Sequence, residues 1–275
     1  MNTSAIQTYF RDEIIAIEPH SGVLTNDNYI VTTKQNRYFF RQPKEQLAEF
    51  FDRHLEAKVL KMVAPLNIDL PYCYFDENSG IKISRYYPDL LNFAQYQKPQ
   101  RLALVASTLK KLHSLNRLCG SKFDYHRQLN LYQKAIAEYP FDLAPFRVLL
   151  GDLAEYQADL TLCHNDCVNG NLLFATQRNY LIDYEYAGDN YPIFDVTSFT
   201  TENDLNALER GEFYRLYYGP ATEQLTADLV LFEKLHHYLW CHWALMMLAK
   251  EKAPVYWDIA KTKYENLSNY QAFIL

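Results

Sequence analysis

Apolar and polar positions follow one rhythm before Pro88 and another after it. Up to Pro88, short aromatic and β-branched runs dominate. Tyr29 to Thr33 and Tyr38 to Arg41 are two such runs, and the polar Lys34-Gln35-Asn36 between them predicts a β-hairpin. Tyr72 to Phe75 and Ile81 to Tyr86, around Asp76 to Gly80, predict a second hairpin. From Gln46 to Val63 the spacing is helical. Leu47, Phe50, Phe51, His54, Leu55, Lys58 and Val59 share a face, and Pro65 follows the end. After Pro88 the helical period takes over. Leu102, Val105, Ala106, Leu109, Leu112 and His113 form a stripe, and helical segments follow near 127–138 and 143–157. A compact β-rich patch covers 160–182, and helices are expected from Leu225 to Lys252 and from Trp257 to about Ala272. The pattern therefore predicts an α+β chain with a small β-rich N-lobe (1–87) and a larger, mostly helical C-lobe (88–275). A cleft between such lobes is where a ligand is expected.

Composition narrows the classes. Of the 275 residues, 49% are apolar and 22% charged, the balance of a globular chain with no need of disulfide or metal staples. The net charge of −6 argues against a nucleic-acid partner. No G-x-G-x-x-G or G-x-x-x-x-G-K-[ST] occurs, which removes the common dinucleotide and P-loop fingerprints. Five cysteines without a C-x-x-C read as reduced thiols of a cytoplasmic protein. No signal peptide and no membrane span is expected.

Chemistry concentrates in Leu162-Cys163-His164-Asn165-Asp166-Cys167-Val168-Asn169-Gly170-Asn171-Leu172-Leu173-Phe174, followed by Leu181-Ile182-Asp183-Tyr184-Glu185-Tyr186. Apolar strands end here on carboxylates and a carboxamide, an arrangement packing alone would not favour, because an uncompensated buried carboxylate is costly. Oxygen donors without cysteine suit Mg²⁺. Phosphoryl transfer needs one Asp to accept the proton of an attacking hydroxyl, and an Asn and a second Asp to hold the metal on ATP. The order H-N-D-x-x-x-x-N, then I-D-Y-E with Asp183 twelve residues after Asn171, parallels the kinase order H-R-D-x-x-x-x-N, then D-F-G.

This segment resembles the choline/ethanolamine kinase family, within the kinase-like small-molecule phosphotransferases that also include thiamine kinases and aminoglycoside phosphotransferases. Ile182 to Asn190 and Phe194-Asp195-Val196 are similar to that family's later blocks. The likeness spans nearly the whole chain, close in the catalytic patch and looser in the first lobe and toward the C-terminus. It implies a two-lobed protein-kinase-like fold and use of ATP and Mg²⁺. By resemblance, Asp166 is the catalytic base, Asn171 and Asp183 are metal ligands, His164 props the loop, and Asp195 anchors it. Glu185 is placed near the metal or the substrate cation, without a choice between them.

In the first lobe, Ser21 to Asn26 resembles the family's short nucleotide loop, with Gly22, Thr25 and Asn26 toward the phosphates. Arg41 stands where a phosphate-binding cation is expected, and Glu56 resembles its acidic partner, with Glu49 as the competing choice. Ser84 to Asp89, including Tyr86, falls where the lobes join, a place for an adenine ring. For the acceptor, Trp240 and Trp243 sit at i, i+3 on a late helix, and indole faces attract a quaternary ammonium; core packing is the competing reading. Glu202 and Tyr186 resemble the acidic and aromatic residues of a choline pocket. His236 and His237 are adjacent, so they diverge on a helix and do not read as a metal site. The expected activity is phosphorylation of a small cationic alcohol, choline first. Thiamine and ethanolamine are the nearest alternatives; an aminoglycoside kinase and a silent kinase-like binding protein are further ones.

Overall fold

The computed structural model describes residues 6–20, 25–176 and 178–275. In chain order the strands are β1 (Ile14–His20), β2 (Asn26–Thr33), β3 (Arg37–Pro43), β4 (Tyr72–Phe75), β5 (Lys82–Arg85), β6 (Leu91–Asn92), β7 (Thr161–Cys163), β8 (Leu172–Phe174), β9 (Asn179–Leu181) and β10 (Gly188–Asn190). The α-helices are α1 (Arg53–Val63), α2 (Arg101–His113), α3 (Tyr125–Lys134), α4 (Val148–Glu155), α5 (Pro192–Glu202), α6 (Ala207–Tyr218), α7 (Glu223–Glu251) and α8 (Pro254–Ser268). The chain forms two compact units, 1–97 with 169–187 and 98–168 with 188–275. The division thus differs from the expected one at 87/88: residues 88–97 and the segment 169–187 belong with the first unit.

The first unit is built on a five-stranded antiparallel sheet in the order β1-β2-β3-β5-β4. Both expected hairpins are present. Val31, Phe40, Ile81 and Ile83 meet with Ile6 in an apolar core, bordered by Tyr29 and Tyr38. The helix expected from Gln46 to Val63 is two elements. A 3-10 turn runs from Glu45 to Phe50, Phe51 and Asp52 are extended, and α1 starts at Arg53. Asp52 causes the break: its carboxylate accepts the N–H of Leu55 at 3.0 Å, an N-cap that a helix-interior Asp could not make. The restart shifts the helical phase. Arg53, Glu56, Leu60 and Val63 are buried, whereas His54 and Lys58 are exposed. A second small sheet, β6-β8-β9, completes the unit.

The second unit is helical around one short antiparallel ladder, β7 with β10. Its core includes Val105, Leu109, Leu162, Phe194, Phe199, Phe213 and Phe232. Helix α7 packs on α3, α4, α5 and α8. Every residue from Leu235 to His242 is buried, so α7 is enclosed on all sides rather than amphipathic. Helix α5, with Pro192 in its first turn, follows β10 directly. Among the described residues, no helix is long and apolar enough to cross a membrane.

Candidate active site

In the first unit the β8–β9 hairpin sets the geometry. Leu172 pairs with Leu181, and the N–H of Ile182 donates to the Asn171 carbonyl at 2.9 Å. The two strand ends are thereby pinned together, with Asn171 leading into one and Asp183 leaving the other. Asp183 has a left-handed backbone (φ 69°, ψ 70°), unusual for a residue with a side chain, and it opens the turn Tyr184–Tyr186.

Around this turn lies a chain of alternating charges. Arg41 Nη1 donates to Asp183 Oδ1 at 2.5 Å and lies 2.7 Å from Glu56 Oε1, while its Nη2 donates to the Gly80 carbonyl at 2.9 Å. Arg53 Nη1 donates to Glu56 Oε2 at 2.8 Å and to Glu185 Oε2 at 3.1 Å. Glu185 Oε1 also accepts from Thr25 Oγ1 at 2.7 Å, and Asn26 Nδ2 lies 3.4 Å from both its oxygens. Burial opposes the charge of Arg41, but Glu56, Asp183 and Glu185 outweigh it and hold the guanidinium above its ordinary pKa. Burial first, and then the Asp183 charge, push Glu185 up to about 7 against the pull of Arg41 and Arg53.

Tyr186 meets Phe51 edge to face at 5.0 Å. Tyr86 donates its N–H to the Arg37 carbonyl at 3.0 Å, and the Arg37 guanidinium lies over its ring at 4.6 Å. Gly22 lies outside the described residues.

In the second unit the loop after β7 carries His164, Asn165 and Asp166. Fully buried Asp195, from α5, accepts the N–H of His164 and of Asn165, each at 2.7 Å. His113 Nε2 lies 3.0 Å from the same carboxylate, and His113 Nδ1 is 2.6 Å from the Tyr217 hydroxyl. Burial alone would raise Asp195; His113 and the loop N–H groups keep it below the usual carboxylate range. His164 Nδ1 accepts the N–H of Asp166 at 3.3 Å, and Asn190 Nδ2 donates to Asn165 Oδ1 at 2.9 Å. Asn165 itself has φ 66°. Asp189 accepts the N–H groups of Cys119 and Gly120 at 2.6 and 2.8 Å. The loop is therefore held at its backbone by Asp195 of α5 and at the Asn165 side chain by Asn190 of β10. Close enough to act on α3, the Asp166 charge adds to burial in raising the Tyr132 phenol.

Of the acceptor residues expected from sequence, Trp240, Trp243 and Glu202 are in this unit, whereas Tyr186 belongs to the first. The Trp240 and Trp243 rings meet edge to face at 5.9 Å, and Trp243 meets Tyr256 the same way at 5.8 Å. Trp240 is 6% exposed, and its indole N–H donates to His236 Nδ1 at 3.2 Å. Trp243 is only half-buried. Glu202 forms an ion pair with Lys263. Sequence reasoning passed over Arg53 and His113, and it placed Asp189 and Asn190 in a family block without giving them a role. Of the two passed over, Arg53 carried a local signal, its i, i+3 spacing to Glu56.

The profile of the phosphotransferase enzyme family matches residues 16–227. Protein LicA of Haemophilus influenzae is 29% identical over 197 residues, covering 67% of this chain and 58% of that protein. Ethanolamine kinase 2 of Rattus norvegicus is 26% identical over 210 residues, covering 64% and 54%. The chain thus spans a little over half the length of these two relatives. Among solved structures, LicA in complex with AMP superposes with a TM-score of 0.81 at 21% identity over 98% of this chain and 97% of that one. The choline kinase LicA from Streptococcus pneumoniae gives 0.80 at 21% identity, over 97% of each. At such identity the likeness is one of fold, the protein-kinase-like fold that the family resemblance implied. With the family profile covering most of its length, the chain belongs to the phosphotransferase enzyme family.

Proposed function

We propose that the protein transfers the γ-phosphoryl group of ATP to the hydroxyl of a small cationic alcohol, with choline as the preferred acceptor. The observation that carries the reading is the β8–β9 pinning, which brings Asn171 and Asp183 to neighbouring strand ends beside two arginines. The donor set fits a magnesium nucleotide. A carboxamide and a carboxylate are hard oxygen ligands, and Arg41 Nε and Arg53 Nη2 are buried donors without a hydrogen-bond partner among the described residues. Asn171 and Asp183 would hold the metal, and Arg41, with Thr25 and Asn26 nearby, would hold phosphate oxygens. Magnesium, when bound, offsets charge on those oxygens. Asp166, five residues before Asn171, would accept the acceptor's hydroxyl proton as the oxygen attacks. Asp195, through two backbone N–H groups, keeps the loop of Asp166 in one conformation.

Choline is supported by the half-buried Trp243 beside Tyr256, since a quaternary ammonium has no N–H and is held by aromatic faces and negative charge. Ethanolamine is the second reading. Trp240 already spends its indole N–H on His236 within the core, which leaves less free aromatic surface for a cage. The relative named ethanolamine kinase 2 points the same way.

The test is ADP release and phosphorylated product from ATP, Mg²⁺ and each of choline, ethanolamine, thiamine and kanamycin. Choline is expected to give the highest kcat/KM. Asp166→Asn is expected to lose about 10²–10⁴-fold in kcat while still binding ATP. No acceptor-dependent ADP release with any of the four, or a fully active Asp166→Asn, would overturn the reading.

A further inference from the structure

Arg53 belongs to no motif, yet it is among the most constrained side chains of the first unit. It is 8% exposed and joins two carboxylates, Glu56 at 2.8 Å and Glu185 at 3.1 Å. Its guanidinium lies over the Phe51 ring at 4.7 Å, and Phe51 in turn meets Tyr186, the residue after Glu185. Gly80 leaves it room. A Cβ on Gly80 would come within 2.5 Å of Arg53 Nε and 2.6 Å of its Cδ. A free arginine would step aside, but this one is held at its far end by both carboxylates. Gly80 is also at φ +73°, where a side chain is strained.

The connectivity makes this more than packing. Asp183, Arg41, Glu56, Arg53 and Glu185 form a chain of ion pairs that alternates in sign, and its two carboxylate ends, Asp183 and Glu185, are two residues apart on one turn. Arg41 grips the start of that turn and Arg53 grips its middle. Asp183 also sits in a left-handed backbone conformation that needs support from its surroundings. Removing Arg53 leaves Glu185 hydrogen-bonded by Thr25 and Asn26, with only the more distant Arg41 charge to balance it, and frees half of the turn.

We propose that Arg53 is a positioning residue for metal binding, a cationic peg that fixes Glu185 and through it the aim of Asp183, with Gly80 kept small to admit it. This rests on the reading of Asn171 and Asp183 as magnesium ligands. Groups that orient metal ligands from behind typically change metal affinity by about 10–100-fold when removed. Lysine is a partial substitute, because both carboxylates meet the one nitrogen Nη1, which an ammonium can replace, but it loses the planar group that lies over Phe51.

The experiment is calorimetric titration of ATP at a series of Mg²⁺ concentrations, without acceptor. Wild type is compared with Arg53→Met, Arg53→Lys, Gly80→Ala, Glu185→Gln and the Arg53→Met/Glu185→Gln double variant. Thermal melts without nucleotide run alongside. The Mg²⁺ concentration for half-maximal ATP binding is expected to rise about 10–100-fold in Arg53→Met and by less in Arg53→Lys and Gly80→Ala. In the Glu185→Gln background, Arg53→Met should add less than about twofold, because the two act as one unit. If Arg53→Met does not fold, Arg53→Lys and Gly80→Ala decide, since both keep the positive charge. An unchanged Mg²⁺ dependence in folded variants, with only a lower melting temperature, overturns the proposal. So does an additive double variant. A wild type whose ATP binding ignores Mg²⁺ overturns the metal reading itself, an outcome distinct from the other two.

Discussion

His236 offers a direct test of how the long helix α7 is enclosed. It is fully buried, and its Nε2 lies 2.9 Å from the Phe194 carbonyl. A carbonyl only accepts, so Nε2 carries the proton and Nδ1 is left to accept the indole N–H of Trp240. The neutral ring is fully used. Burial, with a smaller contribution from Lys263 and against the pull of Asp195 and the Phe194 bond, takes its pKa from 6.5 down to about 3. The depressed value means that the unfolded chain binds a proton that the folded chain refuses. Stability from this group is complete above pH 6.5 and is lost as pH falls toward 3. Between pH 8 and pH 5 the unfolded histidine titrates over about 1.5 pH units, so the loss is about 2 kcal/mol. In a protein of this size that lowers the melting temperature by roughly 4–8 °C. The assay is chemical denaturation at pH 8 and pH 5 for wild type and His236→Gln, whose amide can donate to Phe194 and accept from Trp240. His237 and His242 are also lowered by burial and steepen both curves, so the difference between the two proteins is what counts. The variant is expected to lose about 2 kcal/mol less than wild type on acidification. Equal losses would refute the reasoning and show that protonated His236 is accommodated in the fold.

Three other outcomes follow from the same geometry. Trp243→Ala should raise the KM for choline while leaving that for ATP within about twofold, whereas Trp240→Ala, a core truncation costing about 3–5 kcal/mol, should chiefly lower the melting temperature; paired substrate titrations and melts separate them. Asp195→Asn should reduce kcat by at least about 10²-fold with ATP affinity nearly unchanged, because it loosens the loop of Asp166 and leaves the nucleotide residues alone; calorimetry beside turnover checks this. A thiol reagent should label Cys73 quickly in the native protein and all 5 cysteines after denaturation, since the other four are buried and burial raises the thiols of Cys163, Cys167 and Cys241; a second fast thiol would show that the core opens.

The parts legible in sequence were those whose chemistry is local. Asn171 and Asp183 flank one hairpin, so spacing alone placed them together. The β2–β3 and β4–β5 hairpins were equally readable from aromatic and β-branched runs. Arg53 was not, because its partner Glu185 is 132 residues away and the helix phase that buries it is set by the cap at Asp52. His113 reads as one more residue on a helical stripe, and its bond to Asp195 spans 82 positions. Helix α5 was missed because buried Ser198, Thr197 and Thr200 interrupt its apolar pattern; Thr197 and Thr200 bond back into the helix, while Ser198 accepts the N–H of Cys167. Strand β1 alternates weakly and holds Pro19, which suits its place at the sheet edge.

The first unit is written in two pieces of gene, 1–97 and 169–187, separated by a stretch that encodes part of the second. This sets where the family's sequences can be recombined. A crossover at residue 97 alone would join a foreign sheet, with its own counterparts of Arg41, Glu56 and Arg53, to a native Asp183 and Glu185 that evolved with different arginines. The five charges form one ion-paired chain, and half of it leaves a buried ion without its counter-ion, far costlier than replacing the whole set. Chimeras should therefore exchange both pieces together, with junctions near 97, 168 and 187. Libraries built on a single junction should be depleted of folded members in proportion to how far the donor's charges on α1 and β3 depart from these.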